Sequence, residues 1–419
     1  MDKVVEIESL KLDKSKWLLT PLGDLVKEIS KRVDAPSESE FKRFVGLEHF
    51  VSGDLKIKKW GTTKDLASSV KAFQKGDVLL ARRNAYLRRA SLVEFDGCCS
   101  GDAFVLRENH EKVIPGFLAF VVNSKRMWDF ANANAAGTMS KRVKWRDLAN
   151  YEFLLPPREQ QEKLAELLWS MDELIEQELG LLDSAKIQFQ VKKNNLVLIG
   201  KSHDSVFSEK LKLERAADWN ETTIGELVDN GSIVQIQDGN HGEIHPKSKD
   251  YIEDGIPFVM ANVLHNGKID FDVAKKLPQS ITDKLRIGFA KPGDVLLSHK
   301  GTVGEVAIVP NEIGWPYLML TPQVTYYRID SSRLLNKFLY FVFTSNYFQN
   351  QLRRLSSQST RAYVGITAQR SLKIVLPHDI GEEAEIVNTL SKIEENLAVI
   401  NEKIFKSKAL QESLINKVF

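Results

Sequence analysis

Two stretches of the chain carry apolar residues at alternating spacings of four and three, the pattern of one buried stripe along a helix. The first reads Leu164, Leu168, Met171, Ile175, Glu178, Leu182, Ala185, Phe189, Lys192, Leu196. The second reads Ile386, Leu390, Ile393, Leu397, Ile400, Ile404, Ser407, Gln411, Leu414, Val418, and eight of ten positions are apolar in each. Pro156-Pro157 and Pro377 mark where the helices begin, and Gly200 is a natural end for the first. A helix of this length is a rod of roughly 60 Å, too long for one small domain to cover. The stripes therefore predict an antiparallel coiled coil in which Leu168, Met171, Ile175, Leu182 and Phe189 face Leu390, Ile393, Leu397, Ile400 and Ile404. Packing of each stripe on its own globular domain is the alternative.

Ahead of each helix lie short β-like runs punctuated by Gly, Asn, Asp and Pro, and the two regions repeat one another in order. Trp17 and Gly23 recur as Trp219 and Gly225, and Phe44, Val45 and Gly53 as Phe258, Val259 and Gly267. The run Gly76 to Leu80 recurs at Gly293 to Leu297, Arg107, Phe117, Leu118 and Phe120 recur as Arg328, Phe338, Leu339 and Phe341, and Leu155-Pro156 as Leu376-Pro377. The order implies a tandem duplication. The predicted fold class is α+β: a mixed α/β domain over residues 1–155, a long helix over 156–200, a second such domain over 201–376 and a second helix over 377–419. Antiparallel helices would relate the copies by an approximate two-fold axis, a symmetry suited to duplex DNA read at two half-sites.

Composition narrows the class without deciding it. With 43% hydrophobic and 27% charged residues the chain is an ordinary globular sequence, neither disordered nor collagen-like. The formal charge is only +2, so affinity for a polyanion must come from local patches. The two cysteines, Cys98 and Cys99, are adjacent and poorly placed to bridge one another. With no apolar run at the start and none long enough to span a bilayer, a cytoplasmic protein is expected.

Local patches do occur. Arg82, Arg83, Asn84, Arg88 and Arg89 follow a predicted strand with no acidic neighbour before Glu94, and arginine forks suit phosphate and guanine edges alike. His299, Lys300 and Thr302 form the counterpart in the second copy. A second polar stretch closes each domain, with Lys141, Arg142 and Lys144 in the first and Arg353, Arg354, Gln358 and Arg361 in the second. From Ser345 to His378 there is no acidic residue at all. Phosphate contact is the reading for the lysines, and base-edge contact for Gln358 and Arg361. A solvated loop is the bland alternative for each segment.

Taken together, these features resemble the specificity (S) subunit of type I restriction-modification systems. The resemblance rests on the two-copy layout, the Gly-Asp-Val-Leu-Leu run in each copy, Ser298-His299-Lys300-Gly301-Thr302-Val303-Gly304, and Leu-Pro-Pro-Arg-Glu-Gln-Gln-Glu from Leu155. The second copy departs from it, with Leu376-Pro377-His378-Asp379 and then Gly381-Glu382-Glu383, so the layout carries over there but the helix-start contact does not follow. Gln237, Asn240 and His241 lie in a segment that resembles a loop near the start of some recognition domains, where Asn and Gln suit adenine. The resemblance implies two target recognition domains, each reading half of a split site on double-stranded DNA, with helices that set the gap. It also implies docking of two methyltransferase (M) subunits and of restriction (R) subunits. No cofactor is expected in this chain; S-adenosylmethionine, ATP and Mg would serve the partners.

No catalytic residue is expected. The sequence has no phosphate-cradling Gly-x-x-x-x-Gly-Lys-Ser/Thr loop, no His-Glu-x-x-His, no Gly-x-Ser-x-Gly and no Asn/Asp-Pro-Pro-aromatic motif of adenine methyltransferases. No metal site is expected either, since His241 and His245 have no further ligand nearby. A fused restriction enzyme would need the missing motifs. A protein-only scaffold accounts for the helices but not for the acid-free stretches.

Overall fold

A computed structural model of the chain describes residues 12–201, 204–241, 244–357 and 362–419. Two compact units result, one from residues 1–182 with 399–419 and the other from 183–398, so each long helix is shared between them. The division cuts across the sequence segments because both helix ends contribute to each domain core.

In the first unit, Leu18–Pro21 pairs antiparallel with Glu152–Leu155, tying the start of the domain to the strand before the helix. A four-stranded sheet follows the order Val26–Ile29, Ala103–Glu108, Val78–Ala81, Ala90–Leu92. A second sheet runs Arg32–Val33, Val70–Phe73, Gly97–Cys99, Arg43–Val45, Gly61–Thr62, with Arg43–Val45 parallel to Gly97–Cys99. The second unit repeats the plan. Asn220–Thr223 pairs with Lys373–Leu376, and Ile233–Asp238, Val324–Ile329, Val295–Lys300 and Thr302–Ile308 form the equivalent sheet. Ile256–Val259 lies parallel to Leu318–Leu320, as Arg43–Val45 does to Gly97–Cys99. By this register Cys98 and Cys99 occupy the places of Met319 and Leu320. Both thiols are free and buried, and burial raises them to about 11 and about 12, which leaves them unreactive core residues.

The duplicated Gly-Asp-Val-Leu-Leu run is a strand entry. Gly76 and Gly293 take φ of 90° and 84°, a conformation that favours glycine, and the following aspartates are almost fully buried. Val78, Leu79 and Leu80, like Val295, Leu296 and Leu297, are fully buried in the cores.

The long helices span Arg158–Ile199 and Ile380–Val418. In the first unit they run antiparallel: Gln411 Nε2 donates to the Leu168 carbonyl at 3.3 Å, and Lys403 Nζ meets Glu178 at 2.8 Å. The polar interruptions of the two stripes meet each other, since Ser407 Oγ also donates to Glu178 Oε2 at 3.3 Å. In the second unit Lys201 reaches Glu385 at 2.5 Å, again in the antiparallel sense. Leu168, Ile175, Leu182, Phe189, Leu390 and Ile404 are buried, while Met171, Ile393, Leu397 and Ile400 are half-buried. The helix ends also pack on the domains. Leu164, Leu168, Leu414 and Val418 share a core with Phe117 and Phe120, and Leu196, Ile386 and Leu390 share one with Phe338 and Phe341. Pairing and domain packing, the two alternatives for the stripes, thus coexist.

One stripe position needs correction. Lys192 is exposed, and Lys193 is the buried residue, its Nζ donating to the Thr344 carbonyl at 2.8 Å. Burial lowers the Lys193 ammonium to about 8. A helix near 3.6 residues per turn drifts about 20° per heptad against a 3.5 repeat, so after four heptads the next residue faces the core.

Candidate nucleic-acid interface

In the first unit, the loop after Val78–Ala81 and the segment before residue 145 are far apart in sequence and hydrogen-bonded in space. Val143 N donates to the Arg82 carbonyl at 2.9 Å, and Asn84 N to the Lys141 carbonyl at 2.9 Å. Ala136 and Arg142 exchange backbone bonds at 3.0 and 2.9 Å, closing the second segment on itself. Asn84 and Arg88 turn the loop through left-handed conformations at φ 54° and 47°. Two of the basic segments found by sequence therefore form one ridge.

Charge on the ridge is organised around Asp102. Arg142 meets its carboxylate with Nε at 2.9 Å and Nη2 at 3.2 Å, with Arg82 at 3.6 Å and Arg83 at 3.9 Å. The Arg142 hydrogen bond and the neighbouring guanidiniums hold Asp102 below the usual carboxylate range. Three arginines against one acid leave net positive charge at the surface. Arg83 Nε also donates to Ser140 Oγ at 2.5 Å, which fixes its direction. Lys141 and Lys144 are exposed.

Two residues of this group have partners within the protein. Arg89 donates to the carbonyls of Leu47 and Arg83, both at 3.1 Å, and Arg88 lies 3.8 Å from Glu412. Arg89 is read more simply as a loop brace than as a surface contact. Sequence reasoning also missed the apolar residues on the ridge: Tyr86 is 66% and Met139 99% exposed. The signal was an aromatic flanked by arginines, a combination suited to base or sugar faces.

The second unit repeats the backbone of the ridge with different side chains. Val364 N donates to the His299 carbonyl at 2.9 Å and Gly301 N to the Ala362 carbonyl at 3.1 Å, matching the Val143 and Asn84 bonds. Lys300, Thr302 and Tyr363 are exposed there, as are Arg353 and Arg354 at the end of the helix Asn346–Ser356. Gln358 and Arg361 lie outside the described residues.

His299 and Asn240 correct the sequence reading. His299 is 1% exposed beneath the ridge, with neither ring nitrogen hydrogen-bonded to protein, 3.4 Å from Asp238 Oδ1 and stacked obliquely near Tyr363. Burial pulls its pKa below the ordinary imidazole value, against the opposing charge of Asp238. Asn240 is 2% exposed and donates Nδ2 to the Ile244 carbonyl at 2.7 Å. Gln237 is half-buried and accepts from Tyr326 OH at 2.9 Å, whereas His241 is exposed. Gly239 explains the tight approach: a Cβ there would lie 2.0 Å from the Thr321 carbonyl oxygen.

Each helix start also holds a duplicated contact. Trp17 Nε1 donates to Gln160 Oε1 at 2.6 Å, and Trp219 Nε1 to Glu382 Oε2 at 3.2 Å. Gln161 Oε1 accepts from Ile114 N at 3.1 Å, and Glu383 Oε2 from Leu335 N at 2.8 Å. The departure of the second copy from the Glu-Gln signature thus exchanges an amide for a carboxyl at one conserved geometry. Burial pushes Glu383 up to about 7.

Among the described residues no group of three or more His, Cys, Asp or Glu is placed to hold a metal ion, and no helix is long and apolar enough to cross a membrane. The family described as the type I restriction modification DNA specificity domain matches residues 217–406. The chain is 25% identical over 329 residues to the type I restriction enzyme MjaVIII specificity subunit of Methanocaldococcus jannaschii, covering 74% of this chain and 73% of that one. It is 21% identical to the EcoBI specificity subunit of Escherichia coli, over 73% of this chain and 63% of that subunit. A solved chain described under complex assembly and conformational transition of the type I R-M system matches its fold with a TM-score of 0.59, at 21% identity over 98% of both chains.

Proposed function

We propose that this chain is a specificity subunit of a type I restriction-modification system, as its likeness to such subunits supports, and that it reads a split, asymmetric site on double-stranded DNA, one half-site per copy. Residues 1–155 and 201–376 act as the two target recognition domains, and the helices of residues 156–200 and 377–419 set the gap between half-sites. The ridge formed in each unit by two distant segments, with its backbone hydrogen bonds repeated, carries the reading. Equal backbones with unequal side chains are what two half-sites of different sequence require.

Lys141, Lys144, Arg82, Arg83 and Arg142 contact phosphates or guanine edges in the first half-site, and Lys300, Thr302, Arg353 and Arg354 act in the second, with Gln358 and Arg361 alongside. Buried His299 and Asn240 support the ridge from below. Two methyltransferase subunits dock on the helices, with restriction subunits beyond them. An exposed heptad row of Leu167, Leu174 and Leu181, 44%, 47% and 60% accessible, supports a protein partner there. Chemistry resides in those partners, with S-adenosylmethionine, ATP and Mg as their cofactors, in the cytoplasm. Selection of random duplexes by the chain in complex with a type I methyltransferase subunit tests the reading. Two short fixed words separated by a fixed unread gap are expected; one continuous word would contradict it.

A further inference from the structure

Beside Lys300 in the second unit lies a cleft of about 310 Å³, within the range of roughly 300 to 1,000 Å³ typical of small-ligand sites. Tyr251, Phe258 and Met260 give it apolar and aromatic lining, and Asn240, Thr321 and Lys300 its polar groups. Thr321 is 6% exposed, and its Oγ1 has no hydrogen-bond partner in the protein. A buried hydroxyl without a partner is unfavourable, and a ligand edge that bonds it removes the penalty. Lys300 is exposed and adds a positive charge.

Flat apolar faces, an amide and a free hydroxyl inside, and an ammonium at the exposed margin match one chemistry: a planar base with a hydrogen-bonding edge, joined to a phosphate. We propose that this cleft takes a single nucleotide unit, its base against the aromatic lining and Thr321, its phosphate at Lys300. The inference rests on the reading that this ridge meets DNA, which would supply the nucleotide as a base turned out of the stack; a free nucleotide is the other source.

The first copy is built differently at the same place. Ser100 N donates to the Val45 carbonyl and Thr321 N to the Val259 carbonyl, both at 3.0 Å, which makes Ser100 the counterpart of Thr321. Two residues on, Asp102 stands where the second copy has Gln323, and its carboxylate is engaged by Arg142. The nucleotide site is thus placed in the second copy.

The test is a titration of the full chain with each of the four deoxynucleoside 5′-monophosphates, followed by saturation-transfer NMR. Saturable binding of at least one is expected, weakened about fivefold by Thr321→Val and roughly tenfold by Lys300→Ala. Absence of saturable binding, or binding indifferent to both cleft variants, would overturn the proposal. Displacement of the bound nucleotide by a single-stranded oligonucleotide assigns the site to DNA; retention assigns it to a free nucleotide. Duplex binding without mononucleotide binding would remove the cleft and leave the half-site reading standing. Mononucleotide binding without DNA affinity would do the reverse.

Discussion

Arg107 grips Asp77 fork to fork, Nε to Oδ1 at 2.7 Å and Nη2 to Oδ2 at 2.8 Å, and Arg328 repeats the grip on Asp294 at 3.0 and 2.7 Å. Each aspartate also accepts a backbone N–H at 2.8 Å, from Gln74 in one copy and Lys291 in the other. The pair locks the strand after the glycine turn to the neighbouring strand, at the end of Val78–Ala81 away from the ridge loop. The duplicated Gly-Asp run is therefore a brace within the sheet of each copy.

Asp77→Ala strips a buried acceptor from two donors, so the first unit should lose about 2 kcal/mol, less than a fully buried pair because Arg107 is partly solvated. Asp294→Ala should do the same to the second. Thermal melts followed by circular dichroism check both, and an unchanged melting temperature would show the pair to be dispensable.

Glu383 makes stability depend on pH. Its folded pKa of about 7 lies above the ordinary carboxyl value, so the native state holds a proton that the unfolded chain releases. The stabilisation is complete below the ordinary carboxyl range and is lost as pH rises through about 7. Glu383→Gln restores the amide that Gln161 supplies in the first copy. The variant should gain on the order of 2 kcal/mol at pH 8 and little at pH 5. Denaturant titrations at both pH values measure this, and an equal effect at both would refute a titrating carboxyl.

On the first ridge, Lys141→Ala and Lys144→Ala should weaken DNA binding by a similar factor on all sequences and flatten its salt dependence by about one unit of slope per lost phosphate contact. Arg89→Ala should instead lower stability, since its guanidinium braces two carbonyls. Salt-dependent fluorescence anisotropy separates the two classes. A salt slope unmoved by the lysine variants would take the ridge out of the interface.

Inserting or deleting matched whole turns in both long helices should change the unread gap while leaving both half-site words intact. Duplex selection with the altered chain shows either a new gap or, against the account, altered words.

Much of this architecture was legible because its signals are local. The stripes of the long helices, the proline starts, the Gly200 end at φ 69° and the Gly-Asp strand entries all express spacing or backbone preference within a few residues. The union of residues 82–84 with 141–143 was not legible, because it is made by backbone hydrogen bonds between distant segments that any side chains permit. His299 misled for a different reason: its strand is buried on both faces, from Val295 through Ser298 as well as at His299, so a polar side chain in it does not mark a surface. A guanidinium that braces carbonyls, as that of Arg89 does, and one that meets phosphate look alike in sequence. The resemblance supplied what spacing alone does not, namely the expectation that the two copies and the two helices serve one reader of a divided site.

The central claim, that the chain supplies the DNA address for a methyltransferase, is tested most directly by mapping N6-methyladenine across the genome of a host expressing a type I methyltransferase subunit with and without this chain. The account predicts a split motif with one methylated adenine on each strand, present only with the chain. With the subunit expressed, active and bound to the chain, an unchanged methylation pattern would contradict it.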